Sequence, residues 1–237
     1  MQDNIILAGV GGQGILTNAK VISIAAVRLG LQLKQAEVHG MSQRGGAVQS
    51  HLRVADHDIA SDLIPLGQAT TILAVEPMES LRYVQYLSED GAIVASTNAY
   101  VNIPNYPPIE DVLEKIALYP RHILLDAGHL AKLAGSARAA NIVLLGAASL
   151  HLDIETDALL DAVAALFGAK GEKIVSANQL AFKLGRNAGG AYRDAVDQGI
   201  DTATAREWID SLSLEQLSAA EGVDLAELKK KALKQTG

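Results

Sequence analysis

Ile5, Ile6, Leu7 and Ala8 form a short continuous apolar run. Gly9-Val10-Gly11-Gly12-Gln13-Gly14 follows, and then apolar positions recur at Ile15, Ala19, Val21, Ile22, Ile24, Ala25 and Leu29. This order predicts a buried strand, a glycine loop and a helix stopped at Gly30. Further apolar runs at 71–75, 92–95 and 122–125 predict strands, and helical spacing over Pro77 to Leu87 and Glu110 to Leu118 fills the intervals. Pro77 suits a first helical position, where its missing N–H costs nothing. Strands alternating with helices imply a largely parallel sheet, because parallel neighbours need crossover connections.

The rhythm breaks between Val48 and Ile64. Val48, Ser50, Leu52 and Val54 alternate, Asp56-His57-Asp58 reads as a turn, and Ile59 onward predicts the return arm of an antiparallel hairpin inserted in the sheet. After residue 135 the chain turns helical. Ala139 to Leu152 is apolar and small enough for a buried helix. Leu159, Leu160, Val163, Leu166 and Phe167 mark another, with Gly168 as its C′ residue. Thr204…Glu207, Ser213…Gln216 and Asp224…Glu227 have the spacing of capping boxes and predict three short helices. The expected architecture is therefore α/β, a doubly wound, mostly parallel sheet with an inserted antiparallel hairpin and a C-terminal helical appendage. The division expected is an α/β domain over 1–200 and the appendage over 201–237.

Composition narrows the chemistry. With 49 % hydrophobic and 20 % charged residues in 237, the chain has the make-up of a packed globular domain. The absence of cysteine removes disulfides, thiolate metal sites, iron–sulfur ligation and cysteine nucleophiles together. A net charge of −7 argues against a nucleic-acid partner. No apolar run approaches the ~18 residues of a membrane span, and no leader is visible, so the expectation is a cytoplasmic protein with no membrane partner.

Two loops stand out as candidate sites. Gly9, Gly11, Gly12, Gln13 and Gly14 after a strand and before a helix make a plausible anion cradle, since the helix N-terminus offers unpaired N–H groups. The same letters fit the dinucleotide fingerprint, with Glu37 as the ribose acid, so a self-contained NAD(P)-binding reductase is one alternative. A P-loop is excluded by Ile15 where lysine is required. The glycines are equally compatible with packing alone. The second loop carries His39, Ser42, Gln43, Arg44, Gly45 and Gly46, where flanking glycines let an arginine fork approach a carboxylate or phosphate closely. It also reads as an ordinary solvated hairpin loop, which keeps open a third possibility, a structural scaffold that only binds protein.

Asp126 is expected to cap a helix and Trp208 to anchor the appendage, while Lys229, Lys230, Lys231 and Lys234 fit a solvated helix face. The six histidines show no paired metal spacing, and no metal site is expected.

Leu7-Ala8-Gly9-Val10-Gly11-Gly12-Gln13-Gly14 together with Glu37-Val38-His39-Gly40-Met41-Ser42-Gln43-Arg44-Gly45-Gly46 resembles the small subunits of the 2-oxoacid:ferredoxin oxidoreductases, most of all the indolepyruvate type. The resemblance continues through Asn178, Ala181, Phe182 and Gly185 and covers roughly residues 3–190. It implies a subunit that binds no cofactor by itself and packs beside the active site of a larger partner, which holds thiamine diphosphate and [4Fe-4S] clusters. The assembled enzyme would convert an arylpyruvate and coenzyme A, as cosubstrate, to an acyl thioester and carbon dioxide, reducing ferredoxin. The resemblance also implies an apolar partner surface that a homodimer would cover in the isolated chain. It offers no confident acid or base, and makes the glycine loop and Arg44 the groups expected to line the site or hold coenzyme A.

Overall fold

A computed structural model of the chain describes residues 1–39, 46–101 and 103–219. β1 (Gln2–Val10) is buried along nearly its whole length, and leads through the glycine loop into α1 (Ile15–Arg28). Gly30, with φ of 72°, ends α1: its N–H donates to Val27 and that of Leu31 to Ala26, the paired bonds that satisfy a helix's last carbonyls. β2 (Gln32–His39) and β3 (Ala47–Ala55) follow as an antiparallel pair. Then come β4 (Ala69–Ala74), α2 (Pro77–Arg82), β5 (Leu87–Ser96), α3 (Ile109–Ala117), β6 (His122–Leu125) and α4 (Ala127–Leu133).

The sheet order is β2-β3-β1-β4-β5-β6. β1, β4, β5 and β6 are parallel, and β3 runs against both β1 and β2. From β1 the chain first moves to one side through α1, and later to the other through α2 and α3. Right-handed crossovers therefore set α1 and the α2–α3 pair on opposite faces. α5 (Ala140–Ala148), α6 (Thr156–Phe167) and the long α7 (Glu172–Asp197) join the α1 layer.

The hairpin is real but is not the one its sequence pattern suggested. Its arms are β2 and β3, and the Asp56-His57-Asp58 segment leads into irregular chain with no strand until Ala69. Both edges of β3 are occupied by β2 and β1, so no ladder remains for a third arm. Three further expectations are corrected. Gly168 keeps helical φ (−52°) and opens a single 3₁₀ turn, and Gly171 takes the positive φ instead. The helix expected over 77–87 stops at Arg82, passes through a 3₁₀ turn and gives Leu87 to β5. α8 (Thr202–Ser211) is capped by Asp201, whose carboxylate accepts the Thr204 N–H, rather than by Thr204. The Pro77 start and the Ser213…Gln216 capping box of α9 (Leu214–Leu217) are as the sequence predicts. The Asp224…Glu227 helix and the lysines after it lie outside the described residues. Trp208 and Ile209 of α8 are buried, and α8 packs on α7.

α5 and α7 cross with their backbones touching. A Cβ on Gly146 would fall 1.9 Å from the Phe182 carbonyl oxygen, and one on Gly185 would fall 1.8 Å from that of Val143. No rotamer relieves a clash with backbone, so these glycines fix the crossing. Gly146→Ala is expected to cost about 3 kcal/mol or more in urea denaturation, at or beyond the upper range for overpacking. Gly190→Ala on the same helix α7, where a new Cβ meets nothing within 4 Å, should be neutral or stabilising by up to ~1 kcal/mol.

Asp3, 2 % exposed at the start of β1, accepts the Asp153 N–H at 3.0 Å. Burial nevertheless pushes its carboxyl from 3.8 up to about 7. The folded state thus holds a proton that the unfolded state has lost, and stability drains away as pH rises from about 4 to about 7. Asp3→Asn should flatten that part of the stability–pH curve and leave the variant more stable than the parent at pH 8, as thermal melts across pH will show.

Candidate functional site

Consecutive crossovers leave β1 and β4 in opposite directions, so a crevice opens between their carboxyl ends, the place where open α/β sheets accept ligands. A cleft of about 790 Å³ lies there. Its floor is Gly12, Gln13, Gly14 and Thr17 from the glycine loop and α1, Val75 after β4, Ser96 and Asn98 after β5, and Gly128 at the start of α4. Its far wall comes from Arg138 in the segment leading into α5, Asn141 in the first turn of α5, the end of α6 (Phe167, with Lys170 beyond it) and α7 (Asn178).

The loop's geometry is held by hydrogen bonds it makes to itself and to its neighbours. The Gln13 side chain accepts the Val10 N–H at 2.8 Å, and the Gln13 N–H returns to the Val10 carbonyl at 3.2 Å. Gly14 stands at the N-cap of α1 in the left-handed region (φ 79°) with no side-chain cap, and its carbonyl accepts from Asn141 Nδ2 at 3.1 Å. Asn141 also donates to Asn18, tying the start of α5 to α1. Across the cleft, Asn98 accepts the Gly128 N–H at 2.9 Å and donates to Asp126 at 3.0 Å. Asp126 in turn caps α4 by accepting from the His129 N–H at 2.7 Å. Lys170 sits over the Phe167 ring at 5.2 Å, so the cleft rim carries two cations, Arg138 and Lys170.

The sequence-derived candidates do not all meet in the cleft. Gly12, Gln13 and Gly14 line the cleft. Gly9 closes against α1, where a Cβ would meet the Ile15 side chain at 2.8 Å. The Gly11 N–H donates to the Gly46 carbonyl at 2.9 Å, so the two motifs meet through their backbones at this edge. His39 ends β2 opposite Val48. Ser42, Gln43, Arg44 and Gly45 lie outside the described residues. Glu37 pairs in register with Ser50, which pairs with Leu7, so it stands two strands away from the glycine loop instead of on the neighbouring strand that the dinucleotide fingerprint requires.

Sequence reasoning overlooked Asn98, Asn141, Arg138 and Lys170. For Asn98 a signal was present, a polar residue just past an apolar run in an α/β pattern. Arg138, Asn141 and Lys170 reach the cleft only through the packing of α5, α6 and α7. No group of three or more His, Asp or Glu side chains able to hold a metal ion occurs among the described residues.

A model of the pyruvate ferredoxin/flavodoxin oxidoreductase family matches residues 4–188. The chain belongs to this family. Within it, the indolepyruvate oxidoreductase subunit IorB of Archaeoglobus fulgidus is 38 % identical over 153 residues, covering 62 % of this chain and 75 % of that protein. The pyruvate/ketoisovalerate oxidoreductases common subunit gamma of Thermococcus kodakarensis is 25 % identical over 73 % of this chain and 92 % of its own length. A keto/oxoacid ferredoxin oxidoreductase gamma subunit from Geobacter sulfurreducens superposes with a TM-score of 0.57 at 26 % identity, covering 78 % of this chain and 96 % of that one. A 2-oxoglutarate:ferredoxin oxidoreductase from Magnetococcus marinus, with 2-oxoglutarate, coenzyme A and succinyl-CoA bound, shares the fold at a TM-score of 0.63 and 23 % identity over 82 % of this chain. This chain spans 31 % of that polypeptide.

The glycine loop of this chain rests on a left-handed Gly14 wedged against Asn141, whose amide a new Cβ would meet at 3.2 Å. Gly14→Ala is expected to cost about 1–2 kcal/mol from backbone strain alone. In a double-mutant cycle with Asn141→Ala the two losses should fall short of additive, because the second change removes the group that the first one crowds.

Proposed function

We propose that this chain is the small subunit of a 2-oxoacid:ferredoxin oxidoreductase that acts on an arylpyruvate such as indolepyruvate, and that its cleft completes the active site of a larger partner. The observation carrying this reading is the family match over 4–188 together with 38 % identity to an indolepyruvate oxidoreductase subunit. The chain has no cysteine, so its residues do not fit an iron–sulfur cluster, and its sequence contains no thiamine diphosphate motif. Both groups are assigned to the partner, where thiamine supplies the electron sink for decarboxylation and the clusters carry electrons to ferredoxin.

The contribution of this chain is then positional and electrostatic. Gly12, Gly14 and the first turn of α1 present backbone at the sheet edge, Asn98 holds the floor and Asn141 the far wall, and Arg138 and Lys170 place positive charge at the rim. That arrangement suits a phosphate-bearing cosubstrate, and coenzyme A is the one the proposed reaction uses. Arg44, two residues before Gly46 in sequence, is proposed as a further anion-binding group. An orphan chain is proposed to cover its partner surface by forming a homodimer, and residues 201–237 are proposed as a helical appendage whose α8 is docked on α7.

Viologen reduction with indolepyruvate and coenzyme A tests the reading, using the chain alone and then the complex reconstituted with its large subunit. The chain alone is expected to be inactive. Arg44→Ala and Lys170→Ala should each lower catalytic efficiency for coenzyme A about ten- to a hundredfold, the equivalent of one charge-assisted hydrogen bond. Turnover by the chain alone overturns the subunit reading, and unchanged kinetics in both variants overturn the role given to the cleft and its loop.

A further inference from the structure

The far wall of the cleft carries two oxygen atoms that the reading above leaves unused. Asn141 of α5 and Asn178 of α7 both line the cleft, and each is only 5 % exposed. Asn141 Nδ2 donates to the Gly14 carbonyl and to Asn18 Oδ1, both at 3.1 Å, and Asn178 Nδ2 donates to the Ile174 carbonyl at 2.8 Å. A backbone carbonyl can only accept, so turning either amide over would set oxygen against oxygen, and both orientations are fixed. Each Oδ1 is thereby left as an acceptor, and no described residue donates to it. Neither oxygen is sealed off, unlike Asn18 Nδ2 behind Asn141, which is buried without a partner. Two open, unpartnered oxygens on nearly buried residues of one cleft mark where an occupant donates.

The character of each wall limits what that occupant is. Carbonyl oxygens repel phosphate, which belongs with Arg138 and Lys170 at the rim. Asn141 and Asn178 stand on different helices, so they ask for donors set apart from each other. The glycine loop opposite has the complementary character: no described residue accepts the N–H of Gly12 or Gly14, and these suit a carbonyl. An occupant that satisfies both sides carries N–H and C=O pointing in opposite directions, the geometry of a trans secondary amide. In coenzyme A the nucleotide end has its N–H donors on a single nitrogen of adenine. The pantetheine arm has two secondary amides separated by a short alkyl spacer.

We propose that the cleft holds the pantetheine arm of coenzyme A, its amide N–H groups donating to Oδ1 of Asn141 and Asn178, with the phosphates left at Arg138 and Lys170. This rests on the coenzyme A reading above and adds which end of the molecule enters. In the complex reconstituted with its large subunit, inhibition competitive with coenzyme A is measured for three compounds: S-methyl-D-pantetheine, its analogue with methylene in place of both amide N–H groups, and adenosine 3′,5′-bisphosphate. The methylene analogue should bind the parent complex about tenfold or more weaker than S-methyl-D-pantetheine. Asn178→Leu should weaken S-methyl-D-pantetheine about tenfold and the methylene analogue far less, so the preference shrinks; a merely structural role would weaken both alike. Lys170→Ala should weaken the bisphosphate more than S-methyl-D-pantetheine. Three results overturn the proposal while leaving the coenzyme A reading in place: no competition by S-methyl-D-pantetheine, a preference that is undiminished in Asn178→Leu, or a bisphosphate that loses as much affinity in Asn178→Leu as S-methyl-D-pantetheine does. A parent complex that turns over indolepyruvate without using coenzyme A overturns that reading, and the proposal with it.

Discussion

The contact of α5 with α7 through Gly146 and Gly185 governs most of what lies above the sheet. Backbone against backbone leaves no slack, so the start of α5 and the first turns of α7 are brought over the carboxyl edge together. That places Asn141 on Gly14 and Asn178 across the cleft from the glycine loop. A single added methyl at the crossing would move both walls, which links a packing constraint to the shape of the site.

The sheet contributes a second constraint. β3 is inserted between β1 and β2, and Gly46, just before β3, accepts the Gly11 N–H beside the glycine loop. In an ordinary dinucleotide fold the second strand lies against the first and carries the ribose acid. The inserted strand removes that geometry and brings Gly46 to the glycine loop instead. The chain keeps the helix N-terminus as an anion-friendly feature, while Gly11 and Gln13 direct their amides to backbone partners.

Much of this was legible from local pattern. β1, α1 and the Gly30 stop followed from period and glycine chemistry, and the Pro77 start and Ser213 capping box from terminal residues alone. The hairpin was misplaced because alternation in Val48 to Val54 marks a strand without marking its neighbours; pairing is decided by which edges are free. Gly168 misled because a glycine at the end of an apolar face is compatible with a 3₁₀ continuation as well as a left-handed stop. The second wall of the cleft was illegible for a similar reason. Arg138, Asn141 and Lys170 are distant in sequence from the glycine motif and meet it only through helix packing. The two motifs, by contrast, signalled the family because their spacing encodes one edge of the sheet.

The β1–β4 edge of this chain is proposed as the face completed by the large subunit and coenzyme A. Hydrogen exchange read residue by residue, on the chain alone and in the assembled complex with coenzyme A, tests it most directly. New protection is expected at residues 10–17, 96–98 and 126–129. Protection confined to the opposite edge, around Arg121 and His151, with the glycine loop exchanging as in the free chain, would contradict it.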